Sequence, residues 1–384
     1  MSRLIELKEE QQDASWAASE RSGALSLIAA FNLCYAVDAA RRVGLASYLV
    51  EHQSIELAID PGCQLGDPHL LSHLLQYFAI HGLLVVSNEG YKLTSRRKEL
   101  FSNVSLAQIG FYVEAYGPVV SRLDALITRQ ATYGLDVLRD GGALGEHCAT
   151  LFGEYHTDTV PRALTEIDAT TILDVGCGAG QFLMDACLRS PRLKGIGLDI
   201  SAPAIKLAQE AAADLKLADR IQFLVGDAFD IDSWPAECTS ADVLTAVGVL
   251  HEHFRDGRDA VISILNEYNK LFAKGLKAFI LGEPELCYDL VKNDADLYLV
   301  DIFTAQGFPH DRESLLDVIG QSELACSKVF CRPNAGPRFN FFQLIPSGTA
   351  KISSSTLRTI LADRGQQWRH AHSCRCQATC APVR

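Results

Sequence analysis

A chain of 384 residues, 48% of them hydrophobic, has the material for a large core, and its length points to two domains or one long α/β unit. A formal net charge of −12 argues against nucleic acid as the main partner, because phosphate binding needs clustered positive charge. No apolar run reaches the ~18 to 20 residues of a membrane span, and the charged opening MSRLIELKEEQQDASW lacks the apolar centre of a secretion signal, so a cytoplasmic protein without a membrane partner is expected. Most of the cysteines stand singly in apolar surroundings, Cys34, Cys177 and Cys326 among them, and read as buried, reduced thiols.

From Ser26 to Val50 the sequence is apolar at helical spacing and free of proline. Such a helix carries more apolar surface than a lone surface helix needs, which predicts packing on another chain or domain; a homodimer is expected. Asp67 then caps a helix that starts at Pro68 and ends near His81-Gly82. Two short strands follow around an Asn88-Glu89-Gly90 turn. Helix, helix and hairpin make a winged-helix pattern. The helix that would read DNA, PHLLSHLLQYFAIHG, has no Lys or Arg, so dimerisation or substrate capping suits this region better. The expected bounds are 1–102 for this domain and 103–168 for a helical linker broken at Gly117-Pro118 and Gly141-Gly142.

From Thr171 the pattern changes. TILDVG, KGIGLDI, IQFLVGD, ADVLTAVGVL and LKAFILGEP alternate with helical segments, which predicts a Rossmann-like α/β domain over 169–346 with a parallel sheet and right-handed crossovers. ACSKVFCRP and RFNFFQLI read as a final antiparallel pair. The remainder, 347–384, reads as a disordered tail. Its His370, His372, Cys374, Cys376 and Cys380 lack the paired C-x-x-C frame of a zinc site.

The segment TILDVGCGAGQFLMDACL ends a strand in three glycines, Gly176, Gly178 and Gly180, at a helix N-terminus. Glycines there permit positive φ and let a ligand lie on the backbone, and the helix end suits an anionic group. The spacing is G-x-G-x-G, whereas a dinucleotide fingerprint places its third glycine one position later. Asp199, about 19 residues on and at the end of the second strand, is placed to accept hydrogen bonds from ribose hydroxyls. Gly226, Asp227 and Ala228 end the third strand where an adenine ring would lie.

LDVGCGAG, GLDIS and VGDAF, in that order and spacing, resemble the class I S-adenosylmethionine-dependent methyltransferases. The resemblance implies a seven-stranded sheet, with Asp174 holding the amino group of the methionine part, the three glycines lying against it, Asp199 and Ile200 at the ribose, and Gly226, Asp227 and Ala228 at the adenine. With the N-terminal region included, the chain up to about residue 345 resembles the small-molecule O-methyltransferases of plants and bacteria. Their His-Asp-Trp signature corresponds here to His251, Glu252 and His253.

His251 is the candidate base, with Glu252 beside it; its alternative is a histidine that caps the next helix. A metal is a second possibility. His251, His253 and the distant His310, with Glu252, could supply two imidazoles and a carboxylate to a divalent ion such as zinc or iron, and a bound 2-oxo acid would then be acidified at its neighbouring carbon. This pattern resembles the 2-oxo acid C-methyltransferases of the 2-ketoarginine type. Under that resemblance Glu283 and Glu285 would grip a guanidinium. Two small-molecule reactions are therefore expected as alternatives: C-methylation of a 2-oxo acid, or metal-independent O-methylation with His251 as base.

Overall fold

The computed structural model describes residues 5, 10–56, 66–88, 90–156, 158–286, 295–307, 311–332 and 339–349. His310 and the histidine- and cysteine-bearing tail lie outside the described residues. The chain divides into two compact units, 1–154 and 155–384, so the helices of 103–154 go with the first unit.

In the first unit the helices are α1 (Glu10–Arg21), α2 (Ala24–Arg42), α3 (Leu45–His52), α4 (Pro68–Ile80), α5 (Asn103–Gly110), α6 (Gly117–Val120), α7 (Leu123–Ile127) and α8 (Gly141–His156). The single long helix predicted over 26–50 is two helices, because Gly44 takes φ 78° and turns the chain between α2 and α3. Asp67 caps α4 as expected, accepting from the N–H groups of His69 and Leu70. The predicted hairpin is β2 (Leu84–Ser87) with β3 (Gly90–Leu93), and β1 (Ser54–Glu56), too short to leave a periodic signal, completes a sheet of order β1-β3-β2.

The helix α2 is long and apolar enough to cross a membrane by length and composition alone, which corrects the sequence reading. Its last turns, however, carry Asp38, 1% exposed, which pairs with Arg41 at 3.0 Å and Arg42 at 3.1 Å. Arg41 also pairs with Glu114, and Nε2 of His147 stands 3.1 Å from the same carboxylate oxygen. Further up α2, Leu27, Ile28 and Phe31 are each more than half exposed. Cys34, expected to be buried, is also exposed there, whereas Cys177 and Cys326 are buried.

The second unit contains α9 (Thr159–Ile167), β4 (Thr171–Val175), α10 (Gln181–Arg189), β5 (Lys194–Asp199), α11 (Ala202–Asp214), β6 (Ile221–Val225), β7 (Val243–Val247), a 3₁₀ helix over Leu250–Asp256, α12 (Arg258–Asn269), β8 (Ala278–Pro284), α13 (Ala295–Thr304), α14 (Arg312–Gln321), β9 (Leu324–Cys331) and β10 (Phe339–Pro346). The sheet has seven strands in the order β6-β5-β4-β7-β8-β10-β9. The first five are mutually parallel, and β10 is antiparallel to both neighbours. Strands β4, β7 and β8 are buried without alternation, as strands covered on both faces must be.

At the start of the central strands, Asp242 joins three of them. Its carboxylate accepts from the N–H groups of Thr170, before β4, and Thr171, its first residue, and pairs with Lys277 before β8 at 2.9 Å. Burial pushes the Asp242 pKa up, but the hydrogen bonds from Thr170 and Lys277 outweigh it and hold the group at about 2. At the opposite ends of the same strands, the order reverses on either side of β4, which is where an open α/β sheet binds its ligand.

Candidate active site

The turn after β4 takes left-handed φ at all three glycines: 68° at Gly176, 53° at Gly178 and 74° at Gly180. Their neighbours separate their roles. A Cβ at Gly176 would stand 2.5 Å from Cγ2 of Val249, and one at Gly180 would overlap the Phe223 ring, so these two glycines serve close packing inside the unit. At Gly178 a Cβ would meet nothing within 4 Å. It is therefore the glycine whose backbone faces space that a ligand can fill.

Three carboxylates lie at or near the ends of the successive strands β4, β5 and β6. Asp174, in β4, is 4% exposed and accepts from the Thr245 hydroxyl at 2.6 Å. Burial drives its pKa up to about 7; Thr245 opposes the rise and the charge of Asp199 adds to it. Asp199, ending β5, accepts from the N–H of Gly178 and the N–H of Ser201, both at 2.8 Å. It thus fixes the glycine turn and stands at its edge. Ile200 beside it is 74% exposed, an apolar side chain presented where a flat aromatic group would cover it.

After β6 the chain turns at Asp227, which accepts from the N–H of Phe229 at 2.9 Å, while Trp234 and Tyr268 donate to the carbonyls of Asp227 and Ala228. Gly226 lies against Leu198, where a Cβ would come within 2.7 Å of Cδ1. The expected cofactor residues Asp174, Gly178, Asp199, Ile200 and Asp227 therefore share one edge of the sheet, and Gly176, Gly180, Gly226 and Ala228 shape the backbone beneath them. A carboxylate for an ammonium, a carboxylate at a ribose position and an apolar platform fit S-adenosylmethionine.

His251 lies at the start of the 3₁₀ helix after β7 and is 7% exposed. Its Nδ1 is 2.8 Å from Oε2 of Glu283, in β8. The other oxygen of Glu283 accepts from the N–H of Leu250 at 2.9 Å and that of His251 at 3.3 Å. A carboxylate only accepts, so Nδ1 carries the proton and Nε2 is the basic nitrogen. The structure thus reassigns three residues. Glu283, 1% exposed, has both oxygens engaged by the histidine segment and is not a guanidinium ligand. Glu252, the catalytic candidate beside the base, directs its carboxylate to Arg255 at 3.1 Å. Glu285 accepts from Asn340 at 3.0 Å and from the N–H of Arg312 at 3.4 Å, which ties the end of β8 to β10 and α14. His253 faces Phe229, with ring centroids 3.9 Å apart, and burial lowers its pKa despite nearby Asp256. Among the described residues no group of three or more His, Cys, Asp or Glu side chains is arranged to hold a metal.

Residues 167–302 match the family profile described as a methyltransferase domain. In overall structure the chain resembles human N-acetylserotonin methyltransferase in complex with SAM, with a TM-score of 0.64 at 15% identity over 89% of this chain and 99% of that one. It also resembles the mitomycin 7-O-methyltransferase MmcR, with a TM-score of 0.60 at 17% identity over 87% of this chain and 100% of that one. The fold is that of the class I methyltransferases. Among curated sequences, the methyltransferase ungE' of Aspergillus campestris is 26% identical over 212 residues, 55% of this chain. The chain spans 58% of that relative's length. The methyltransferase domain thus holds every described candidate residue named above, from Asp174 to Glu285.

Proposed function

We propose that the chain is an S-adenosylmethionine-dependent O-methyltransferase of a small hydroxylated molecule, with His251 as general base. The observation that carries this reading is the His251–Glu283 pair beside the glycine turn. The cofactor, held by Asp174, Asp199, Ile200 and Asp227, supplies an electrophilic methyl group when bound. Nε2 of His251 takes the acceptor's hydroxyl proton, and the Glu283 carboxylate fixes the tautomer and stabilises the imidazolium that forms. The two backbone N–H groups on Glu283 hold that carboxylate in place behind the ring. Burial of the pair keeps water from competing for the proton transfer.

The same pair weighs against the 2-ketoarginine reading, since the carboxylate meant for a guanidinium is spent on the base. The name of the mitomycin 7-O-methyltransferase also favours O-methylation over C-methylation of a 2-oxo acid. The reading has the enzyme working in the cytoplasm on a small molecule, as a homodimer joined through the exposed face of α2, and without nucleic acid.

The test is mass spectrometry of products formed from S-adenosylmethionine with a panel of phenols and 2-oxo acids, each with and without a chelator. A methylated phenol in equal yield under both conditions is expected. A methylated oxo acid formed only without chelator would overturn the reading and bring back a metal set that includes His310.

A further inference from the structure

One buried side chain near the histidine is left without an account by the cofactor and the base. The helix α13 ends at Thr304, and a three-residue turn follows: Ala305 at φ 49°, Gln306, and Gly307 at φ 69°. Gln306 is 1% exposed, and among the described residues neither Oε1 nor Nε2 has a hydrogen-bond partner. Thr304 two residues earlier is equally buried but donates to the Val300 carbonyl at 2.8 Å, so of these two residues it is the glutamine that lacks a partner among the described residues. An enclosed amide with neither end paired is disfavoured against an apolar side chain of the same shape, and a buried group of this kind calls for a partner.

The turn lies against the segment that presents the histidine. Gly307 is pressed on the 3₁₀ helix that carries the base: a Cβ there would stand 2.9 Å from Cβ of Phe254 and 3.2 Å from the N of Arg255. In a helix of three residues per turn, Phe254 lies directly above His251 on one face. Gln306 is therefore one residue from a backbone contact with the base's own helix. The left-handed Ala305, a conformation side chains rarely adopt, holds it there at a cost in strain.

We propose that Gln306 determines acceptor specificity by hydrogen-bonding the molecule to be methylated, a proposal that rests on the O-methyltransferase reading. A primary amide presents an acceptor and two donors in one plane. Its complement is a planar edge that sets a donor beside an acceptor, as in a carboxamide or lactam on a hydroxylated ring. An acceptor that offers this edge would pair both ends of the buried amide and so remove the penalty of leaving it unsatisfied.

The test uses the full chain loaded with S-adenosylhomocysteine and titrates it calorimetrically with salicylamide and with phenol, which lacks the amide. Wild type should prefer salicylamide by about tenfold, the worth of one net hydrogen bond, and Gln306→Leu should lose that preference. Without any acceptor, Gln306→Leu should melt at or above the wild-type temperature and bind S-adenosylhomocysteine unchanged. A preference that persists in Gln306→Leu, or is absent from wild type, overturns the proposal. So does a lowered melting temperature in both Gln306→Leu and Gln306→Met, which would make the glutamine a structural residue satisfied by an enclosed water only. Failure of wild type to bind S-adenosylhomocysteine would instead strike the methyltransferase reading itself.

Discussion

Glu283 stands behind His251, 2.8 Å from Nδ1, and with its other oxygen holds the backbone N–H groups of Leu250 and of the histidine itself. One side chain on β8 thus sets the ring's position, its tautomer and the path of the chain that presents it. His251→Ala should lower kcat by about 10² to 10⁴-fold, the usual worth of a general base. Glu283→Gln should lower it by about 10²-fold through loss of the charge behind the imidazolium. The double variant should be no slower than His251→Ala, because the two act as one unit. Steady-state rates, with S-adenosylhomocysteine affinity as the control that should not move, check all three.

Cofactor affinity should depend on pH through Asp174. Burial raises this carboxyl to about 7, so it is neutral below that pH and charged above it. Only the charged form attracts the ammonium of the methionine part, so affinity should fall about tenfold between pH 8 and pH 6. Asp174→Asn should flatten the profile. For the ligand-free protein the sign is opposite. The folded carboxyl keeps its proton above the unfolded value, so this group's contribution to stability falls as pH rises from about 4 to about 7, then levels. Calorimetric titration and thermal melts across that window separate the two effects.

Two glycines in one turn should respond differently to the same substitution. Gly180→Ala places a methyl group in the Phe223 ring at positive φ and should cost about 3 kcal/mol of stability. Gly178→Ala meets no neighbour and carries only the backbone strain, about 1 kcal/mol. Its loss should appear instead in S-adenosylhomocysteine binding, by tenfold or more, about 1.4 kcal/mol. Equal melting temperatures for the two variants would contradict this division.

Asp199→Ala should weaken S-adenosylhomocysteine about 10²-fold, through loss of charge-assisted hydrogen bonds to the ribose and release of the Gly178 N–H. Asp199→Asn, which keeps an acceptor, should lose less. An unchanged affinity in the alanine variant would remove Asp199 from the site.

The sheet and the glycine turn were legible because each rests on local chemistry. A glycine turn must follow its strand, and an acid at a strand end declares itself in a few residues. The partner of the base was not legible, because Glu283 lies 32 residues from His251 and only the parallel pairing of β7 with β8 brings them together. Glu252, adjacent in sequence, lies one residue away on a 3₁₀ helix, where its side chain points elsewhere and finds Arg255. The break at Gly44 was missed for a related reason: a helical apolar pattern continues through it, and only the left-handed glycine turns the chain. Gln306 leaves no sequence signal at all, since an unsatisfied amide is defined by what surrounds it.

The carboxylate of Asp242 has a kinetic meaning that reaches across the sheet. It fastens the starts of β4 and β8 to its own position ahead of β7, at the edge remote from the glycine turn. Amide protons at Thr170 and Thr171 should therefore exchange more slowly in the wild type than in Asp242→Ala, which leaves both N–H groups without the carboxylate. One rim of the sheet is cross-tied by a single carboxylate, while the turn at the other rim is held at Gly178 by a side chain from the neighbouring strand end.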